Sequence, residues 1–155
     1  MEMNMQKMII PNEVLLAEVV SLVEEGKTVV LMTKGASMHP FIIGEKDSVR
    51  LTAPETLYPG LIALAEYRKD KYVLHRIISV EGNRVVLMGD GNLKGCEICR
   101  KSDIKAVAVS ILKADGTEVD CFARKHLRRA ALWYRLLPLR RWLLAFYRRC
   151  LKLLH

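Results

Sequence analysis

Along most of the chain, apolar and polar residues alternate in short blocks separated by turn residues. At the C-terminal end the pattern changes to a helical rhythm. Near the start, Val14, Leu15, Val19, Leu22 and Val23 recur close to helical spacing, with Asn12 placed to cap a helix from Glu13 and Gly26 placed to end it. "TVVLMT" (28–33) is β-branched and apolar and predicts a strand, and "DSVRLTA" (47–53) predicts a second, alternating one. A Pro-Gly turn leads into a strand from about Leu61 to Tyr67. "KDK" turns the chain into a partner strand, "YVLHRIISV" (72–80), and "EGN" turns it again. "RVVLMGDGN" (84–92) predicts a strand that runs into a glycine-rich loop, "IKAVAVSILKA" (104–114) a further strand, and "DGTEV" a last turn. Short strands with turn signals at this spacing predict a mainly β domain, a small barrel or sandwich. The expected organisation is an N-terminal helix packed on the domain (1–26), the β domain itself (27–121) and a basic amphipathic helical tail (122–155).

Pro138 divides the tail into two helical segments. In the second, Leu139, Trp142, Leu143, Phe146, Tyr147, Cys150 and Leu154 recur at three- and four-residue steps, with Arg140, Arg141, Arg148, Arg149 and Lys152 mainly opposite. Charge sharpens the division. The formal net charge is +8, yet no acidic residue follows Asp120, and ten basic residues lie from Arg124 onward. Without those ten, the 25 Lys and Arg fall to 15 against 17 Asp and Glu, so residues 1–123 carry −2. A slightly acidic domain with a strongly basic tail excludes a generally basic nucleic-acid-binding surface. The tail suits an acidic membrane surface, with Trp133, Trp142, Phe146, Arg140, Arg141, Arg148 and Arg149 as the contacting residues, or else a partner helix; arginines on nucleic-acid phosphates are the least favoured reading, because the leucine stripe would be left without a role. The N-terminal "MEMNMQKMIIPNEV" is too interrupted for a signal peptide, and no window has the run of about 20 apolar residues of a membrane span. The expected location is cytoplasmic, or peripheral on the cytoplasmic face of a membrane.

Of the four cysteines, Cys96 and Cys99 form a CxxC, but no second pair of ligands follows to complete a metal site. Neither a metal nor a cofactor is expected, and free thiols are.

The candidate chemistry sits elsewhere. Ser37 lies in "KGASMHPFI", His75 in the predicted strand "YVLHRIISV", Asp90 in "MGDGN" and Glu97 shortly after. A serine hydroxyl needs a base within hydrogen-bond reach, and the base needs an orienting group. Histidine suits the role of base. A glycine ahead of the serine allows a tight turn that leaves the Ser37 N–H free to face an oxyanion. Strand alternation sends Arg76 to the face opposite His75, where it would pair with a surface carboxylate.

These segments, together with "GLIALAEY" (60–67), occur in the order and spacing of the signal peptidase I and LexA-like serine peptidases, which the chain resembles over roughly residues 28–112. The resemblance implies that fold, Ser37 as nucleophile, and Gly35, Ala36, Met38 and Pro40 as the surrounding oxyanion and substrate-binding box. The His75-Arg76 pair is similar to the histidine branch of the superfamily rather than the lysine branch. That branch continues its "GD-x-N" box to an aspartate that falls here on Cys96, beside Glu97. The resemblance thus leaves open whether Asp90 or Glu97 orients His75, or whether the pair works as a dyad. It implies a serine endopeptidase that cleaves signal- or leader-type peptides with small residues before the cut, laid along a strand edge. A LexA-like self-cleaving regulator would want an Ala-Gly or Cys-Gly cleavage pair and a lysine base, which this chain lacks. A catalytically inactive peptide-binding module is the other alternative, with Cys96 as its support.

Overall fold

The computed structural model describes residues 12–154. The expectation about a signal peptide, and the first part of the expected N-terminal helical unit, fall outside the described residues. Helix α1 (Asn12–Glu24) buries Leu16, Val19, Val20 and Val23. The buried stripe therefore differs slightly from the predicted one, and Val14 faces solvent. Gly26 closes the helix in the left-handed region (φ 85°), its N–H donating to the Val23 carbonyl at 2.9 Å.

The strands are β1 (Val29–Met32), β2 (Ser48–Thr52), β3 (Ile62–Arg68), β4 (Lys71–Glu81), β5 (Arg84–Met88), β6 (Glu97–Arg100), β7 (Ile104–Leu112) and β8 (Glu118–Asp120). They form one mostly antiparallel sheet of 8 strands in the order β1-β2-β7-β3-β4-β5-β6, with β8 also paired to β7. β6 and β8 were not anticipated. Register shifts interrupt the β2/β7, β3/β4, β3/β7 and β4/β5 pairings, and such bulges bend and twist the sheet.

The central strand β3 is apolar on both faces. Ile62 and Leu64 join Leu16, Val19, Val23, Val49, Leu51 and Ile111 in one core, while Ala63 and Ala65 join Leu61, Ile77, Val85, Leu87 and Val107 in a second. Alternation places successive side chains on opposite faces, so a strand with no polar face must be covered on both sides.

After β8 come α2 (Arg124–Arg135), a short 3₁₀ turn (Leu137–Leu139) containing Pro138, and α3 (Arg140–Leu153). These helices are docked on the domain rather than trailing from it. His126, Ala130, Arg140 and Leu144 are all buried. No helix among the described residues is long and apolar enough to cross a membrane.

Candidate active site

The serine loop lies between β1 and β2. Gly35 takes a left-handed φ of 76°, and the chain then turns tightly, the His39 N–H donating to the Ala36 carbonyl at 3.2 Å and the Ile42 N–H to the Met38 carbonyl at 3.0 Å. His39–Pro40 is a cis peptide bond. Asp47 ties the loop down from below. Its carboxylate accepts the Ile43 N–H at 2.8 Å, the Ala114 N–H at 3.1 Å and Lys113 Nζ at 2.8 Å. Its carbonyl accepts both the N–H (3.1 Å) and the hydroxyl (2.8 Å) of Thr33. Asp47 is buried, and three donors on a buried carboxylate hold it rigidly. Its part in the site was missed in the sequence, where it read only as the start of a strand.

The loop of residues 89–92 packs against the serine loop. The Gly91 N–H donates to the Ser37 carbonyl at 2.8 Å. A Cβ on Gly89 would run into that same carbonyl and come within 3.0 Å of His75 Nε2, and one on Gly91 would strike the Ala36 carbonyl. Both positions therefore require glycine for space, and the Gly89 Cα lies close to both the Ser37 carbonyl and the imidazole.

His75 projects from β4 and is buried, 6% exposed. Its Nδ1 lies 2.8 Å from Glu97 Oε2. Glu97 opens β6, where it stands opposite Leu87 of β5. With Nδ1 donating to the carboxylate, Nε2 is the nitrogen left to act as a base on the side of the serine loop. Among the described residues no group hydrogen-bonds the Ser37 hydroxyl or accepts the Ser37 N–H.

Ser37 and His75 line one open groove. Leu31, Thr33 and Gly35, from β1 and the loop after it, line it together with Tyr72, Leu74 and His75 of β4 and with Met38 and Ile42. Two strand edges contribute to this lining. β1 ends the sheet, and β4 pairs with β5 only from Arg76 onward, so the segment bearing Tyr72–Leu74 pairs with β3 alone. Of the box residues, Gly35 and Met38 line the groove, whereas Ala36 and Pro40 lie outside its lining. The Gly35 N–H is held by Glu45 Oε1 at 3.2 Å, which takes it away from any oxyanion. His39 turns away from the serine. Its ring meets Tyr147 edge-on at 5.8 Å, and burial, followed by the nearby Arg148, lowers its pKa.

Asp90 does not sit beside His75. Its carboxylate grips Arg76, with Nε at 2.9 and 3.1 Å from its two oxygens and Nη2 at 2.7 Å. Arg76 does point to the face opposite His75, but that face is covered, so the pair is buried rather than on the surface. Arg76 Nη1 also donates to the Gly60 carbonyl at 2.7 Å and to His126 Nε2 at 3.2 Å, and its guanidinium lies 4.8 Å from the Phe41 ring centre. Burial and the adjacent guanidinium push the His126 pKa down to about 4, which keeps the ring neutral and its nitrogen an acceptor.

Two residues expected to touch lipid are instead structural. Trp133 Nε1 donates to the Asp90 carbonyl at 2.7 Å. Arg140, 2% exposed, stacks on Trp133 at 5.2 Å and donates through Nη1 to the Asn92 carbonyl at 2.9 Å and the Gly89 carbonyl at 3.5 Å. A helical wheel cannot tell which side of a helix will dock, and here a tryptophan and an arginine are the docking groups. The C-terminal helices thereby brace the backbone of the loop that packs beneath Ser37.

Cys96 is exposed and Cys99 buried, the Cys99 thiol pushed up to about 11 by burial. Among the described residues no group of three His, Cys, Asp or Glu side chains is arranged to hold a metal ion. No protein-family model matches the chain, and no curated protein matches it either.

Proposed function

We propose that the protein is a serine endopeptidase of the signal-peptidase type, in which Ser37 is the nucleophile, His75 the general base and Glu97 the group that orients the base. The observation that carries this reading is the set of Ser37 and His75 on one groove with the Glu97 carboxylate 2.8 Å behind the imidazole. Ser37 Oγ attacks the scissile carbonyl while its proton passes to His75 Nε2, and Glu97 stabilises the imidazolium. The Ser37 N–H donates to the oxyanion. As the tetrahedral species collapses, the C–N bond breaks and His75 delivers the proton to the leaving amine. Water, deprotonated by the same imidazole, then hydrolyses the acyl-enzyme and restores the serine.

An extended peptide lying between the free edge of β1 and the edge of β4 that β5 leaves open would add a strand to the sheet. A signal- or leader-type segment with small residues before the cut is the substrate this reading names. A peripheral station on the cytoplasmic face of a membrane is proposed beside this reading and depends on the surface of the C-terminal helices, not on the peptidase chemistry.

The test is digestion of a diverse peptide library followed by mass spectrometry, with wild type and Ser37→Ala side by side. Cuts confined to wild type and clustered after small residues are the expected result. Identical digests would sink the proposal in favour of a non-catalytic peptide-binding groove. Within active protein, Glu97→Gln is expected to lower kcat/KM by roughly 10²- to 10⁴-fold, because the amide cannot offset the charge that forms on His75. The thermal midpoint should move by less than about 4 °C, since Glu97 is partly exposed. Unchanged kinetics in this variant would mean that His75 works without a carboxylate.

A further inference from the structure

Helix α3 has three faces. Arg140, Leu144 and Tyr147 face the domain. Arg141, Arg148, Arg149 and Lys152 form an exposed basic sector. The remaining sector, together with Leu139 just before the helix, exposes large apolar groups, among them Trp142 (64%), Phe146 (68%) and Leu153 (86%), with Leu143 beside them. Docking on the domain accounts for the first face and solvent for the second. The third leaves two aromatic rings and several leucines in water on a helix that is already held in place, and contiguous patches of this kind mark interaction surfaces.

Charge selects the occupant. The chain from residue 124 onward holds ten basic and no acidic side chains, and Arg141 lies over the Trp142 ring at 5.9 Å, so cationic and apolar groups share one surface. A nucleic acid would engage the arginines and leave Trp142, Phe146 and Leu153 wet. An anionic bilayer satisfies both sectors at once, because acyl chains receive the aromatic and aliphatic groups while headgroup phosphates receive the guanidinium groups.

From this surface we infer that the exposed sector of α3 seats the protein on an anionic lipid bilayer, with Trp142, Phe146 and Leu153 entering the interface and Arg141, Arg149 and Lys152 meeting the headgroups. Trp133 and Arg140 take no part, being occupied with the loop beneath Ser37. The helix that meets the lipid is the one bonded to the carbonyls of Gly89 and Asn92, so the bilayer lies about one helix diameter, roughly 10 Å, from that loop. The inference rests on the helix surface and stands or falls separately from the peptidase reading.

The experiment is sedimentation of the full chain with large vesicles of phosphatidylcholine alone or containing one part in three of phosphatidylglycerol, at two salt concentrations. Wild type is expected to bind the anionic vesicles at least about tenfold more tightly than the neutral ones, and less tightly at high salt. The double variant Trp142→Ala/Phe146→Ala should lose about tenfold or more of that binding, and Arg141→Glu/Arg149→Glu should lose the preference for anionic lipid. All four side chains are exposed, so circular dichroism should show both variants folded. If a variant does unfold, Trp142→Ser alone is compared in its place, with the same loss expected in smaller degree. No binding by wild type, or undiminished binding by the folded aromatic variant, overturns the inference. So does light scattering that shows the aromatic patch buried in a dimer, or a stronger association with duplex nucleic acid than with anionic vesicles.

Discussion

Ser37→Ala is expected to lower kcat/KM by roughly 10⁴- to 10⁶-fold on any peptide that wild type cleaves, with substrate binding little changed. The hydroxyl is the only atom removed, and among the described residues it makes no hydrogen bond, so its loss should leave the fold intact. Ser37 is half-buried on a turn held by its neighbours: Asp47 anchors the loop, and the Gly91 N–H binds the Ser37 carbonyl, not its side chain. Thermal unfolding should therefore stay within about 0.5 kcal/mol of wild type, as for substitutions away from packed or bonded sites. His75→Ala should cost a similar factor. Because the two act in one proton transfer, the double variant should be no slower than the slower single variant. Losses that instead multiply would mean that the residues act in separate steps. Cleavage within tenfold of wild type by Ser37→Ala would remove Ser37 as the nucleophile, and the proposed mechanism with it.

Much of the fold could be read from alternation. β1 to β5 and β7 have apolar runs bounded by turn residues, and α1 has a helical stripe with an asparagine ahead and a glycine behind. β6 could not be read. "EICR" is four residues long with charged ends, and the CxxC made by Cys96 just before it and Cys99 within it drew the metal question instead. Yet β6 is the element that brings Glu97 to His75, so the choice between the two carboxylates was closed to a sequence reading for the same reason that the strand was. Alternation along β4 correctly put Arg76 and His75 on opposite faces. It could not show that α2 covers the Arg76 face and that α3 is docked beside it, because that depends on contacts between residues far apart in the chain. With that cover unseen, Asp90 remained available to His75, and Trp133 and Arg140 remained available to lipid.

The buried pair carries the largest expected effect on stability. Asp90→Ala should destabilise the protein by about 3–5 kcal/mol, because it strips the carboxylate from a guanidinium that water cannot reach. Arg76 would keep bonds to the Gly60 carbonyl and to His126 Nε2, but neither carries a compensating charge. His126 supplies no negative charge either: burial first, and the adjacent Arg76 second, push its pKa down to about 4, so it stays a neutral acceptor. For a domain of ordinary stability, about 5–15 kcal/mol, such a loss is about a fifth or more of the total, and urea unfolding would read it as a large fall in midpoint. If Asp90→Ala does not fold, Asp90→Asn retains the shape and hydrogen-bonding acceptor and should show a smaller fall on the same axis. The comparison with Glu97→Gln separates the two carboxylates. Asp90 variants should lose stability first and activity through it, with kcat largely kept in whatever fraction is folded. Glu97→Gln should lose kcat while the midpoint stays. The reverse outcome, a stable Asp90→Asn protein with kcat reduced by two orders of magnitude or more, would transfer the orienting role to Asp90. It would also require His75 and Asp90 to meet in a conformation other than the one in which Asp90 grips Arg76.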